Sequence, residues 1–128
     1  AGHVAPNEIS PAEAAEEAGA YAFCVIVEDK IVGFLLAVDM AELDPPSTLF
    51  GPDDAYLWRF MIAADWQGRG YGRQAMAWFH EWARRRGKTR LLLTVREDNS
   101  AGRAFYASVG YRPTGQMRNG EVEYARDT

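Results

Sequence analysis

Apolar residues fall along this chain in short runs, separated by glycines, prolines and acidic residues. Residues 21–28 and 31–39 are rich in β-branched and aromatic side chains and are split by Asp29-Lys30, which predicts a hairpin. Residues 40–54 carry Asp44-Pro-Pro46 and Gly51-Pro-Asp-Asp54 and predict a loop. A third apolar run, 56–63, predicts a buried strand. The period then changes: 74–83 predicts a helix that continues to Arg86, with Gly87 as its C′ cap. Residues 90–96 predict another buried strand. Asn99 or Ser100 caps a second helix that ends between Ser108 and Gly110. Segments 114–118 and 121–126 flank Asn119-Gly120, the strongest short hairpin signal in the chain. Upstream, Ser10-Pro-Ala-Glu13 combines an N-cap, Pro at the first helical position and a capping-box carboxylate, predicting a helix to about Ala18; residues 1–10 show no clear periodicity. The order α-β-β-β-α-β-α-β-β predicts an α/β (α+β) fold with a mixed sheet and helices on its faces.

Between the third strand and the first long helix lies Gln67-Gly-Arg-Gly-Tyr-Gly-Arg73, with three glycines, two arginines and no carboxylate. A glycine-rich turn between a strand and a helix start leaves backbone N–H groups at the positive end of the helix dipole, which favours an anion such as phosphate. The Walker pattern fails because Gly72 precedes Arg73-Gln74 instead of Lys-Ser/Thr. Gly70-Tyr-Gly-Arg-Gln-Ala75 matches the loose dinucleotide pattern. That fold, however, wants the turn early in a βαβ unit and an acidic residue ending the next strand, where this chain has Arg96.

Composition narrows the class. The 128 residues, 48% apolar and 25% charged, suit one globular domain spanning 1–128. No apolar run reaches the roughly 20 residues of a membrane span, and a cytoplasmic protein is the expectation. The single cysteine, Cys24, lies inside an apolar run and predicts a buried, inert thiol. The net charge of −4 conceals a split: residues 1–57 hold eleven carboxylates against one lysine, and the remainder is basic. The basic half is too mixed for a nucleic-acid surface, and Arg84-Arg85-Arg86 fits a helix C-terminus. His3 and His80 have no metal-ligand spacing; no metal is expected, and His80 is expected at the helix surface.

A third pattern, Gln/Arg-x-x-Gly-x-Gly/Ala, is met by Gln67, Gly70 and Gly72. Downstream, Asn99 is followed seven residues later by Tyr106 and then by Gly110-Tyr111. On these two motifs, at this separation, the chain resembles the GCN5-related N-acetyltransferases (GNAT) from about residue 21 to 126. Tyr56-Leu-Trp-Arg-Phe-Met-Ile62, the glycine loop and Val4-Ala-Pro-Asn7 look like the polyamine/diamine acetyltransferase-like branch. The resemblance implies the GNAT fold, with a family strand and helix that have no counterpart ahead of Val4. Part of the acceptor wall would then be absent or supplied by a second subunit, as in a homodimer.

The resemblance also implies roles. Acetyl-CoA is the implied co-substrate, its pyrophosphate held by Gln67, Gly68, Arg69, Gly70, Tyr71, Gly72 and Arg73. Phe60, Met61 and Ile62 would pair their backbone with the pantetheine arm, one N–H facing the thioester oxygen. Asn99 and Arg103 would also meet the coenzyme, Asn99 while capping its helix. Tyr106 is the implied general acid, because a phenol near pKa 10 can protonate a departing thiolate. Some relatives place a Glu where this chain has Thr94, so the base stays open, with Glu28, Asp39 and Glu42 as candidates. The acidic half suggests a small polycationic amine, with Tyr21, Tyr56 and Trp58 available for cation–π contacts. Three functions therefore stand: acetylation of a polyamine-like amine, acetylation of a protein N-terminus, lysine or aminoglycoside, and non-catalytic acyl-CoA binding.

Overall fold

The computed structural model describes residues 2–6 and 18–128. Seven strands form one open sheet: β1 (Gly2–Pro6), β2 (Ala20–Val27), β3 (Lys30–Asp39), β4 (Asp54–Ile62), β5 (Arg90–Arg96), β6 (Arg112–Arg118) and β7 (Glu121–Asp127). Their spatial order is β1-β2-β3-β4-β5-β7-β6. Among the described residues two α-helices, α1 (Tyr71–Arg85) and α2 (Ser100–Ser108), accompany them. All neighbouring strands are antiparallel except β4 and β5, and α1 is the crossover that a parallel pair requires.

Strand β1 was not announced by the sequence: Gly-His-Val-Ala-Pro has no alternation, yet it pairs antiparallel with β2 from Gly2↔Val27 to Pro6↔Phe23. The expectation of a missing first strand is corrected accordingly. The helix expected over residues 10–18 lies almost wholly outside the described residues.

Side-chain parity along the strands separates two faces. Phe23, Val25, Leu35, Ala37, Ala55, Leu57, Leu91, Leu93, Val95 and Tyr124 point to one face, where they pack with Ala75, Met76, Phe79 and Ala83 of α1 and with Phe105 and Tyr106 of α2. Both described helices thus cover the same face. Each fully buried Leu or Phe there contributes on the order of 2 kcal/mol. The opposite face carries Leu36, Val38 and Met40, packed against Leu43, Phe50 and Tyr56.

The two ends of the sheet are built differently. At the end where α1 finishes, Arg86 bonds Asp39 (2.8 Å) and Glu42 and stacks over Tyr21 and Trp82. Buried Lys88 pairs with Asp39 and donates to Pro52 O (2.8 Å). Arg90 makes a two-pronged bond to Asp54. Three cations of the basic half are therefore paired with three carboxylates of the acidic half. Where α1 begins, the sheet opens instead.

Candidate active site

The opening is a fork between β4 and β5. Their parallel pairing runs only from Asp54↔Arg90 to Leu57↔Leu93. Beyond it β4 stays paired with β3 as far as Gly33↔Ile62, and β5 stays paired with β7 as far as Arg96↔Glu121. The cause lies at Trp58. Leu36 faces Arg59 and Ala37 faces Leu57, so Trp58 is an extra residue in β4, a bulge that bends the strand away from β5. Residues 58–62 therefore present one unpaired backbone edge to the gap.

The bulge also resets parity. Phe60 and Ile62 face the helices, whereas Met61 lies on the opposite face and is 51% exposed. Of the three residues implied for the coenzyme arm, Met61 is thus not a core side chain. Phe60 stacks with Phe105 of α2 (centroids 6.3 Å apart), and a Cβ added at Gly72 would come within 3.3 Å of the Phe105 ring. Gly72 is small because α2 packs against the first turn of α1 at the mouth of the fork.

The glycine loop sits at the tip of β4. Gly68 and Gly70 have φ of +76° and +88°, and a Cβ at either would meet nothing within 4 Å. These glycines serve the left-handed backbone rather than space, and they leave the loop open to solvent. The first backbone bond of α1 is Gln74 N–H to Gly70 O (3.1 Å), so the N–H groups of Tyr71, Gly72 and Arg73 precede the helical ladder. The Gln67 side chain does not reach outward; its Nε2 donates to Ile62 O (2.8 Å) and ties the loop to the strand end. Arg69 lies over Trp66 at 4.9 Å, and Arg73 is exposed.

On α2, Asn99 Oδ1 accepts from Gly102 N–H (2.9 Å), the expected cap. Arg103 Nε donates to Tyr124 Oη (3.0 Å) and Nη1 to Glu97 O (3.1 Å), so it fastens α2 to β7. Tyr106 packs edge-on to Phe105 and Tyr111, and burial pushes its pKa up to about 12. The phenol is therefore protonated throughout the physiological range.

Of the expected bases, Asp39 and Glu42 lie at the end of the sheet opposite the fork, whereas Glu28 lies at the fork end but beyond β3. Asp39 lies beside Ala55, at the far end of β4. Burial alone would raise its pKa, but bonds from Lys88, Arg86 and Ala41 N–H outweigh this and hold it below the usual carboxylate value. Glu42 is paired with Arg86, and Glu28 occupies the β2–β3 turn. His80 is likewise not a surface residue. Nδ1 accepts from Arg126 (2.9 Å), which fixes the tautomer so that Nε2–H donates to Tyr111 Oη (3.0 Å). Desolvation and then Arg126 push its pKa down to about 4. A cavity of about 480 Å³ beside Arg112 and Arg126 lies at the Arg90 end of β5, away from the fork. At the fork itself, on the face away from the helices, Tyr56, Thr94 and Glu121 form a hydrogen-bonded chain that the sequence did not reveal.

A strand fork, a left-handed glycine loop and a capped second helix occur together here, and the family description "Acetyltransferase (GNAT) family" matches residues 3–111. The chain belongs to that family. GNAT structures superpose on it widely. An acetyltransferase from Thermus thermophilus is 27% identical, with TM-score 0.73 over 94% of this chain and 68% of its own. The ribosomal-protein-S18-alanine N-acetyltransferase from Escherichia coli is 20% identical, with TM-score 0.75 over 99% and 94%. The PaiA N-acetyltransferase from Thermoplasma acidophilum, solved in complex with coenzyme A, is 14% identical, with TM-score 0.69 over 84% of this chain and 60% of its own. The chain thus spans less than two thirds of that last relative. No protein of curated function matches it by sequence. Among the described residues no helix is long and apolar enough to cross a membrane, and no group of His, Cys, Asp or Glu is arranged to hold a metal.

Proposed function

We propose that this GNAT domain transfers an acetyl group from acetyl-CoA to a primary amine. The observation that carries the reading is the fork: an unpaired β4 edge running into a left-handed glycine loop and an open helix N-terminus. An extended pantetheine arm fits the edge as an added strand, and a pyrophosphate fits the N–H groups of residues 68–73, with Arg69 and Arg73 beside them. The Gln67 side chain ties the loop to the end of β4, Gly72 lets α2 pack against the first turn of α1, and Arg103 braces α2.

The chemistry follows from what each group can hold. The amine nitrogen attacks the thioester carbon while a β4 N–H among Phe60, Met61 and Ile62 donates to the developing oxyanion, a contribution of about 3 kcal/mol. The carbon–sulfur bond breaks and Tyr106 gives its proton to the departing thiolate. A phenol held protonated by burial is always in the form this step requires.

For the acceptor, we favour a small cationic amine of the polyamine type. Trp58 at the bulge already carries a cation over its ring, Arg59 at 5.8 Å, and Glu121 offers a carboxylate at the fork. The wider acidic half lends this reading less support than its composition suggested, since Asp39, Glu42 and Asp54 are already paired. A second reading, acetylation of a peptide N-terminus, draws on the likeness to the S18-alanine enzyme along nearly the whole of both chains. Thiol release from acetyl-CoA in the presence of spermidine, an aminoglycoside or a peptide beginning with alanine separates them. Turnover on spermidine supports the first, turnover confined to the peptide supports the second, and coenzyme binding without turnover points to a non-catalytic acyl-CoA module.

A further inference from the structure

We propose that Tyr56, Thr94 and Glu121 are a proton relay that carries the amine's proton away from the fork to the Glu121 carboxylate. This rests on the acetyl-transfer reading above and supplies the proton acceptor which that reading lacks.

Placement is the first argument. Leu57↔Leu93 is the last parallel pair, so Tyr56 belongs to the last paired turn of the ladder and Thr94 is the first residue of β5 beyond it. Both side chains point to the face away from the helices, with Glu121 and Glu123 on β7. Tyr106 belongs to the helix face. The proton donor and the proposed acceptor thus approach the fork from opposite faces, so that protonation of the thiolate and deprotonation of the nitrogen do not compete for one group.

Direction is the second. Thr94 Oγ1 donates to Glu121 Oε1 at 2.7 Å. With that proton committed, the 3.1 Å contact between Tyr56 Oη and Thr94 Oγ1 has the tyrosine as donor. The chain therefore runs one way, from Tyr56 O–H through Thr94 O–H to the carboxylate, and leaves the lone pairs of Tyr56 Oη to accept. Phe50 stacks on Tyr56 (5.6 Å, 26°) and fixes the ring.

Charge is the third. Glu123, the other carboxylate on this face, is buried and accepts one bond at each oxygen, from Arg118 Nε (2.9 Å) and Thr114 Oγ1 (2.9 Å). Arg96, opposite Glu121 in the β5–β7 register, is paired with Asp98. Arg118 lies opposite Glu121 across β6–β7 but is bonded to Glu123. Among the described residues no cation is paired with Glu121, whose Oε1 takes the Thr94 bond.

The step balances. The bound ammonium passes one proton to Tyr56 Oη, the tyrosine proton moves to Thr94 Oγ1 and the threonine proton to Glu121, which frees the nitrogen lone pair to attack; once the nitrogen–carbon bond has formed, the nitrogen's second, now acidic proton restores through solvent the one that Tyr106 gave to the thiolate. Glu121 then returns one proton to solvent. No oxidant or metal is involved.

The experiment measures kcat/KM on whichever of spermidine, the aminoglycoside or the alanine peptide turns over, from pH 6 to 10, in wild type and in Glu121→Gln, Thr94→Val, Thr94→Ser and Tyr56→Phe. Acetyl-CoA Kd and Tm serve as fold controls. Glu121→Gln and Thr94→Val are expected to lose about 10²-fold near pH 7 and to close most of that gap near pH 10, where the free amine no longer needs a base. Thr94→Ser, which restores the hydroxyl, recovers most of what Thr94→Val loses. A deficit equal at all pH values, or none, overturns the relay while leaving acetyl transfer intact. A wild-type protein that releases no thiol with any of the amines overturns the acetyl-transfer reading and the relay with it.

Discussion

Tyr106 and His80 are both half-buried on the helix face, yet burial acts on them in opposite senses. For Tyr106 it keeps the phenol protonated; on the proposed acetyl-transfer mechanism, Tyr106→Phe should lower kcat about 10²-fold while leaving the acetyl-CoA Kd within twofold, measured by thiol release and by calorimetry. For His80 burial disfavours charge. Its folded pKa of about 4 lies below the ordinary 6.5, so the unfolded chain binds more protons between these values. The contribution of neutral His80 is complete above about pH 6.5 and is lost as pH falls toward 4. Tm measured across that window should fall more steeply in wild type than in His80→Gln. That Tyr106 lies on the helix capped by Asn99 was legible, because their separation is a local spacing. His80 was misplaced because its partners Arg126 and Tyr111 lie 46 and 31 residues away and its own helix pattern says nothing of them. The same holds for Thr94 and Glu121, which meet only through strand register.

At the scale of elements, the turns and caps were the readable parts. Gly87, Gly110 and Gly120 all carry positive φ, and Asn99 caps α2, because these positions are decided by chemistry within a few residues. Strand β1 and the fork were not readable, since both depend on which neighbour a strand finds. The glycine loop stands between the two cases: its backbone conformation was implied, but the inward bond of Gln67 was not. Gly70→Ala should cost about 1–2 kcal/mol of stability by urea titration, purely through the left-handed backbone, and should raise the acetyl-CoA Kd. An added methyl at Gly70 clashes with nothing, so a larger loss would point to a contact outside the described residues.

At the scale of the whole molecule, part of the charge asymmetry that composition displayed is internal wiring: Asp39, Glu42 and Asp54 of the acidic half are paired with cations of the basic half. Lys88 and Arg86 fasten the end of α1 to Asp39 on β3, far from the loop at its beginning. Lys88→Met should cost about 3 kcal/mol by denaturant unfolding, because it strips a buried carboxylate of one of its two cations. Activity per folded molecule should be unchanged. The bulge at Trp58 has the opposite character. Removing that one residue leaves Leu57, Arg59, Phe60, Met61 and Ile62 in regular alternation, with every core side chain still facing the helices. Nothing then bends β4 away, and its free edge can zip onto the free edge of β5, each new backbone bond adding about 1 kcal/mol. Deletion of Trp58 should therefore give a protein that melts no lower than wild type while it loses acetyl-CoA binding altogether. On that view the active site is an unfinished sheet, and a single inserted residue keeps it from completing itself.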